Sequence, residues 1–124
     1  MSEMTSSGAE VRLVFACSGA ADVGEIADRV ARMLSRNGTA RMFCLGGVGA
    51  RIEESLATVR SAGRIMAIDG CHLDCAKKCL EQAGFAGIRH LRLTDHQMEK
   101  GKTPVSVRNV EAAAERARHV LLAP

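Results

Sequence analysis

The cysteines are the residues of this chain best suited to chemistry. Three of the five fall in the stretch "AIDGCHLDCAKKC", where Cys71, Cys75 and Cys79 recur every four residues. This spacing is close to one turn of an α-helix, so the three side chains would lie along one helical face. Such a row of thiols suits buried packing, redox chemistry or metal binding. The choice among these uses depends on where Cys17 and Cys44 lie in the fold.

The segments around the cysteines alternate between strands and helices. Short apolar runs rich in β-branched residues predict the strands, and apolar positions at helical spacing predict the helices. The predicted strands are 11–16, 40–45, 64–69 and 88–95, and the predicted helices are 25–36, 52–63, 72–84 and 105–123. The glycine-rich segment 46–50 and the polar segment 96–104 are predicted to be loops.

This alternation predicts an α/β fold in which helices cover both faces of a parallel sheet. Right-handed crossovers leave few topologies. Among them we favour a three-layer, Rossmann-like (flavodoxin-like) domain with a four-stranded parallel sheet in the order 2-1-3-4. The length of 124 residues fits a single domain, which we assign to residues 11–124 after a disordered N-terminal tail at residues 1–10.

In this topology, the cysteines gather at one edge of the sheet. Cys17 follows strand one, Cys44 ends strand two, Cys71 follows strand three, and Cys75 lies one turn further on. The carboxyl ends of parallel strands meet at the edge where open α/β sheets bind ligands. Four thiolates on three adjacent loops suit a tetrahedral Zn²⁺ centre with Zn–S distances of about 2.3 Å. The same thiolates could hold an iron–sulfur cluster, which is the less favoured cofactor.

Neighbouring residues would support the thiols without touching the metal. Asp69 ends strand three, where its carboxylate could orient loop amides around the sulfurs, and Gly70 permits a tight turn beside them. We interpret Cys79, one turn deeper in the helix, as core packing. His72 is expected to face solvent, and Asp74 to lie near the helix N-terminus, where a negative charge is favourable.

The segments that carry the thiols resemble a known family. "CSGAADVGEIA", "CLGGVGA" and "AIDGCHLDCAKKCLEQAGF" are similar to the DGC-domain family, small proteins proposed to bind zinc and named after an Asp-Gly-Cys motif. The motif is here Asp69-Gly70-Cys71, and the resemblance runs from about residue 11 to residue 95. It implies four cysteine ligands, here Cys17, Cys44, Cys71 and Cys75. It implies a site without implying a reaction, because the biochemical role of the family is not established.

Other chemistries fit the sequence less well. A phosphatase loop needs Cys-x5-Arg, but the position counted from Cys17 is Val23. Gly47 and Gly49 lack the third glycine of a dinucleotide fingerprint, since Ile52 stands there. A thiol-redox or sulfur-transfer enzyme using the same cysteines remains the alternative, so the sequence leaves open whether the protein is an enzyme.

Composition and charge bear on partners and location. The net charge is +3, the longest basic grouping is Lys77-Lys78, and no Trp or Tyr offers a stacking platform, so we expect no nucleic-acid partner. The sequence has no signal-peptide pattern and no apolar run of about 18 residues, which predicts a cytoplasmic protein with reduced thiols and no membrane partner. The apolar end of the last helix, from Val120 to Leu122, leaves a homodimer open.

Overall fold

The computed structural model describes residues 10–124, so nearly all of the predicted tail at residues 1–10 lies outside the described residues. Strands β1 to β4 are Arg12–Ala16, Arg41–Met42, Arg64–Asp69 and Arg89–Arg92. Helices α1 to α5 are Asp22–Arg36, Leu45–Gly49, Glu53–Arg60, Cys75–Gln82 and Val107–Leu122. Over the described range, no helix combines the length and the apolar character that crossing a membrane requires.

The strands form one parallel sheet in the order β2-β1-β3-β4. β1 lies inside the sheet, where Leu13 pairs with Arg41 of β2 on one side and with Ile65 of β3 on the other. β3 in turn pairs with β4, so that Asp69 lies opposite Arg92. The predicted α/β class and the predicted strand order are both confirmed.

Helices cover both faces of the sheet and divide the core in two. α1 and α5 pack on one face, where Val14, Leu34 and Ile68 belong to a single buried cluster. α2, α3 and α4 pack on the other face around Phe15 and Leu80. Because successive strand residues point to opposite faces, β1 contributes Val14 to the first cluster and Phe15 to the second.

Two segments differ from the sequence-based prediction. The glycine-rich segment 46–50 was predicted as a loop, but most of it forms helix α2, and β2 is correspondingly short. Gly47 is buried against α3, where a Cβ would collide with the side chain of Ser55. Close packing against α3 therefore explains why a glycine is present at position 47. The fourth strand ends early because the chain enters a 3-10 turn at Leu93–Asp95.

The connection between this turn and α5 is tied to α1. The Asp22 carboxylate accepts hydrogen bonds from the N–H groups of Gly101 at 2.9 Å and Thr103 at 3.2 Å. Within the connection, the Glu99 N–H donates to Thr103 Oγ1 at 2.7 Å. Asp22 thus anchors the connection beside the first turn of α1.

Two arginines from the sheet bind the C-terminal end of α5. Arg64 donates to the carbonyl of Leu121 at 2.8 Å, and Arg89 donates to the carbonyl of Ala123 at 2.6 Å. Positive charge is favourable there because the last carbonyl groups of a helix carry partial negative charge. Leu121 is fully buried, whereas Leu122 is 38% exposed. Part of the apolar end of α5 is therefore buried against the rest of the chain.

Candidate functional site

Cys17 lies directly after β1 at the carboxyl edge of the sheet. Its N–H donates to the carbonyl of Ile68 at 3.0 Å, which extends the β1–β3 pairing beyond the strand. Its sulfur accepts a hydrogen bond from the Gly70 N–H, with an N–Sγ distance of 3.4 Å. Burial raises the pKa of the Cys17 thiol, while backbone hydrogen bonds from Gly19 and Gly70 act in the opposite direction. Cys17 is therefore in direct contact with the Asp-Gly-Cys segment.

Gly70 brings the end of β3 against the start of α1. A Cβ on Gly70 would lie 2.7 Å from the carbonyl carbon of Val23 and 2.8 Å from the nitrogen of Gly24. Both are backbone atoms, which cannot turn aside as a flexible side chain could. Only glycine permits this approach, which keeps the Gly70 amide facing the Cys17 sulfur.

The turn from Cys71 to Cys75 joins β3 to α4. The Asp74 N–H donates to the carbonyl of Cys71 at 3.2 Å, and α4 begins at Cys75. Asp74 has a left-handed backbone with φ of 53°, as does Ser18 beside Cys17. Such a conformation costs a non-glycine residue on the order of 1 kcal/mol and is concentrated at functional sites. Two of the cysteines thus have a strained neighbour.

Asp69 fixes the start of α4. Its carboxylate is 1% exposed and accepts hydrogen bonds from the N–H groups of Ala76 at 2.7 Å and Lys77 at 3.1 Å. The same carboxylate lies 2.9 Å from His90 Nε2. An ionised carboxylate can only accept, so Nε2 is the donor in this hydrogen bond. Asp69 therefore connects β4 to the helix that begins at Cys75.

Asp74 is fixed by β4 as well. Arg92 donates from Nε to Asp74 Oδ1 at 2.9 Å and from Nη2 to Asp74 Oδ2 at 2.5 Å. These hydrogen bonds hold the pKa of the Asp74 carboxyl below its usual range. Asp74 lies at the N-terminus of α4, as expected, but its side chain makes no capping hydrogen bond. Asp69 binds the helix amides instead.

A group of three ligand-type side chains lies beside these cysteines. Among residues 10–124, the ligand atoms of Asp69, Asp74 and His90 lie within 4.8 Å of one another, a spacing that could hold a metal ion. His90 Nε2 is 2.9 Å from Asp69 Oδ2 and 3.6 Å from Asp74 Oδ1. Arg92 already neutralises Asp74, however, so a cation at this position would have to displace an ion pair.

The sequence-based prediction did not include His90 and Arg92. They occur in the sequence "RHLR" of β4, where they alternate and therefore point to the same face of the strand. Arg92 lies opposite Asp69 in the sheet, so this is the face that carries the Asp69 side chain. The sequence signal that could have identified them is a histidine and an arginine on the same face of a half-buried strand.

The remaining cysteines are associated with α2 and α4. Cys44 is exposed and directly precedes α2. Cys79 packs against the second core cluster, as predicted, and its sulfur lies 3.2 Å from where a Cβ on Gly49 would stand. Gly49 and Cys79 each lie four residues beyond the first residue of their helix, Leu45 and Cys75. The contact between Cys79 and Gly49 packs α2 against α4.

The four predicted metal ligands have the right chemistry but are not gathered into one cluster. All of the cysteines are free thiols. Four thiolates around tetrahedral zinc would have sulfurs about 3.8 Å apart. In the described part of the chain, the cysteines do not form a group within 4.8 Å. Cys44 and Cys75 are exposed, and the four sulfurs would have to come closer together to bind one ion. The four-cysteine centre stays a prediction.

The fold and this edge define a class of α/β proteins in which an Asp-Gly-Cys turn follows a central strand of a parallel sheet. A family model described as the DGC domain matches residues 13–117, and the chain belongs to this family. The chain is also 39% identical over 88 residues to the anaerobic and virulence modulator AnvM of Pseudomonas aeruginosa. That match covers 71% of this chain and 67% of AnvM. No solved structure matches the chain significantly.

Proposed function

We propose that this protein binds one zinc ion through the thiolates of Cys17, Cys44, Cys71 and Cys75. The observation that carries the proposal is the hydrogen bond from the Gly70 N–H to the Cys17 sulfur, at 3.4 Å. It joins the loop after β1 directly to the Asp-Gly-Cys segment after β3, so two of the three proposed ligand segments are in contact. The chain belongs to the DGC-domain family, and the resemblance to that family implies the same four cysteines.

The backbone around Cys17 can donate hydrogen bonds to a metal-bound thiolate, while burial raises the pKa of the free thiol. Backbone N–H groups of Gly19 and Gly70 donate to the Cys17 sulfur and would stabilise its negative charge. Cys44 and Cys75 are exposed, so their side chains can turn without disturbing the core. Zinc bound to all four thiolates would link the loops that follow β1, β2 and β3, since zinc accepts four ligands in tetrahedral geometry.

The group of Asp69, Asp74 and His90 is the weaker metal-binding candidate. Every carboxylate oxygen of the two aspartates already accepts a hydrogen bond. Arg92 also forms a bidentate ion pair with Asp74, and breaking such a pair in a part-buried place is costly. We therefore assign the metal to the cysteines.

Metal analysis of the untagged protein tests this proposal. Protein purified under anaerobic conditions should contain one equivalent of zinc per chain when measured by mass spectrometry. Folded, monodisperse protein without metal would refute the proposal. Stoichiometric iron with absorbance at about 400 nm would instead indicate an iron–sulfur cluster on the same thiolates.

A thiol-redox role is the second candidate. Lys100 Nζ lies 3.9 Å from the Cys71 sulfur, and a neighbouring cation is typical of reactive cysteines. The name of the Pseudomonas relative refers to anaerobic conditions, which suits a site that responds to oxidants. In this case, diamide should oxidise Cys71 and Cys75 to a disulfide, taking up the two electrons and two protons that the thiols lose. Zinc should then be released reversibly, whereas unchanged thiol and zinc content would contradict the redox role.

A further inference from the structure

We infer that His90 and Arg92 of β4 position the turn that carries Cys71 and Cys75, and thereby set the metal affinity without binding the metal. The metal part of this inference rests on the proposed function. The positioning part rests only on contacts within the chain. Two sets of hydrogen bonds connect β4 to the turn, one through Asp69 and one through Asp74.

The first set runs from His90 through Asp69 to α4. His90 Nε2 donates to Asp69 at 2.9 Å, and Asp69 accepts the amides of Ala76 and Lys77. Asp69 is 1% exposed, so solvent cannot replace a donor that is lost. Removing the His90 hydrogen bond would leave a buried carboxylate with fewer donors, and we expect the start of α4 at Cys75 to loosen.

The second set runs from Arg92 through Asp74 to the turn itself. Asp74 lies directly before Cys75, and its N–H binds the carbonyl of Cys71. Its left-handed backbone, with φ of 53°, is unfavourable for an aspartate unless outside contacts maintain it. The bidentate ion pair with Arg92 provides such a contact. Arg92 therefore holds Asp74, the last residue before α4.

These residues act by positioning because the side-chain atoms with which they reach the turn are already engaged. His90 Nε2 carries the proton that it donates to Asp69, so this nitrogen has no lone pair to offer a metal at the turn. Arg92 has no lone pair to offer. Partners of this kind orient the ligands of metal sites, and their loss typically weakens metal binding by about 10–100-fold.

Paired substitutions of His90 test the inference. Leucine at this position cannot donate, whereas the side-chain amide of glutamine can still reach Asp69 from near the position of Nε2. We expect His90→Leu to weaken zinc binding by about 10–100-fold, measured by competition with a chromophoric chelator, at an unchanged stoichiometry of one. His90→Gln should retain an affinity close to that of the unsubstituted protein.

Hydrogen exchange of the Ala76 and Lys77 amides gives a second, metal-independent measurement. Both amides should lose protection in His90→Leu and keep it in His90→Gln. If unsubstituted protein binds no zinc but the amides respond in this way, the proposed function fails and the positioning role stands. Unchanged amides in His90→Leu would overturn the positioning role. Loss of zinc in both variants with protected amides would make His90 a ligand and would also overturn it.

Arg92→Lys provides a test that does not depend on how well the His90 variants fold. Lysine keeps the positive charge but cannot form the bidentate pair with Asp74. We expect weaker zinc binding and less protection of the Asp74 amide, which donates to Cys71. Zinc affinity and amide protection equal to those of the unsubstituted protein would contradict the role assigned to Arg92.

Discussion

Asp69 shows how one buried side chain can organise the edge of a sheet. It ends β3, accepts two amides from the first turn of α4 and binds His90 of β4. A buried charge is tolerated only when it is well paired, and these donors meet that requirement. The start of α4, and with it Cys75, is therefore fixed by a residue of the Asp-Gly-Cys motif.

Cys75 and Cys79 should respond differently to substitution, although both lie on α4. Cys79 lies about 6 Å further along the helix axis, which exceeds a zinc–sulfur bond more than twofold. We expect Cys75→Ser to lose zinc because a hydroxyl is a poor replacement for thiolate. Cys79→Ala should keep full zinc occupancy and lose about 1 kcal/mol of stability through a small cavity. Zinc content and denaturant unfolding measure both effects, and the reverse pattern would contradict the proposed ligand set.

Alanine substitutions of Gly70 and Gly46 give a matched test of packing at the edge of the sheet that carries the cysteine loops. A Cβ on Gly70 would meet the backbone of Val23 at 2.7 Å, so Gly70→Ala should cost about 1–3 kcal/mol. A Cβ on Gly46 would make only an ordinary contact, 3.7 Å from the Cys44 sulfur. Because Gly46 lies within α2, Gly46→Ala should be neutral or stabilising by up to about 1 kcal/mol. Equal unfolding free energies for the two variants would contradict this packing.

A carboxylate of α1, that of Asp22, anchors the connection between β4 and α5. The Gly101 N–H is the main cause of the lowered pKa of Asp22, with further hydrogen bonds from the backbone of Val23 and Thr103. The ionised form is therefore the one that anchors the connection. This anchoring is complete above the ordinary carboxyl pKa of about 3.8 and is lost as the pH falls through the lower pKa of the folded state.

Substitution of Asp22 should release this connection. In Asp22→Asn, we expect the Gly101 and Thr103 amides to lose hydrogen-exchange protection at neutral pH, because the neutral amide is a weaker acceptor. Asp28→Asn is the matched control, since Asp28 lies on the same helix but binds Ser18 and Arg32. Equal protection of the two amides in Asp22→Asn and in the control would show that Asp22 does not anchor the connection.

Most elements could be predicted from the sequence because their apolar residues follow the period of a strand or a helix. Helix α2 could not, because glycine disfavours helix by about 1 kcal/mol relative to alanine. Packing against Ser55 and Cys79 explains why the glycines of α2 nevertheless suit this place. The edge of the sheet that carries the cysteine loops could be predicted from the strand order. The roles of His90 and Arg92 did not, since they depend on the register between β3 and β4.

For the molecule as a whole, zinc binding should be coupled to folding stability. A metal that binds the folded chain stabilises it by about 2.7 kcal/mol when free zinc is 100 times the dissociation constant. Zinc should therefore raise the melting temperature, and a chelator should lower it. The increment should persist in Cys79→Ala and disappear in Cys75→Ser. A melting temperature that responds to neither zinc nor chelator would contradict a site that links three loops.

X-ray absorption at the zinc edge of the loaded protein distinguishes between the two groups of ligands at this edge of the sheet. If Cys17, Cys44, Cys71 and Cys75 bind the metal, the spectrum should show four sulfur neighbours at about 2.3 Å. Nitrogen and oxygen neighbours at about 2.0–2.2 Å, as Asp69, Asp74 and His90 would supply, would contradict the four-cysteine centre.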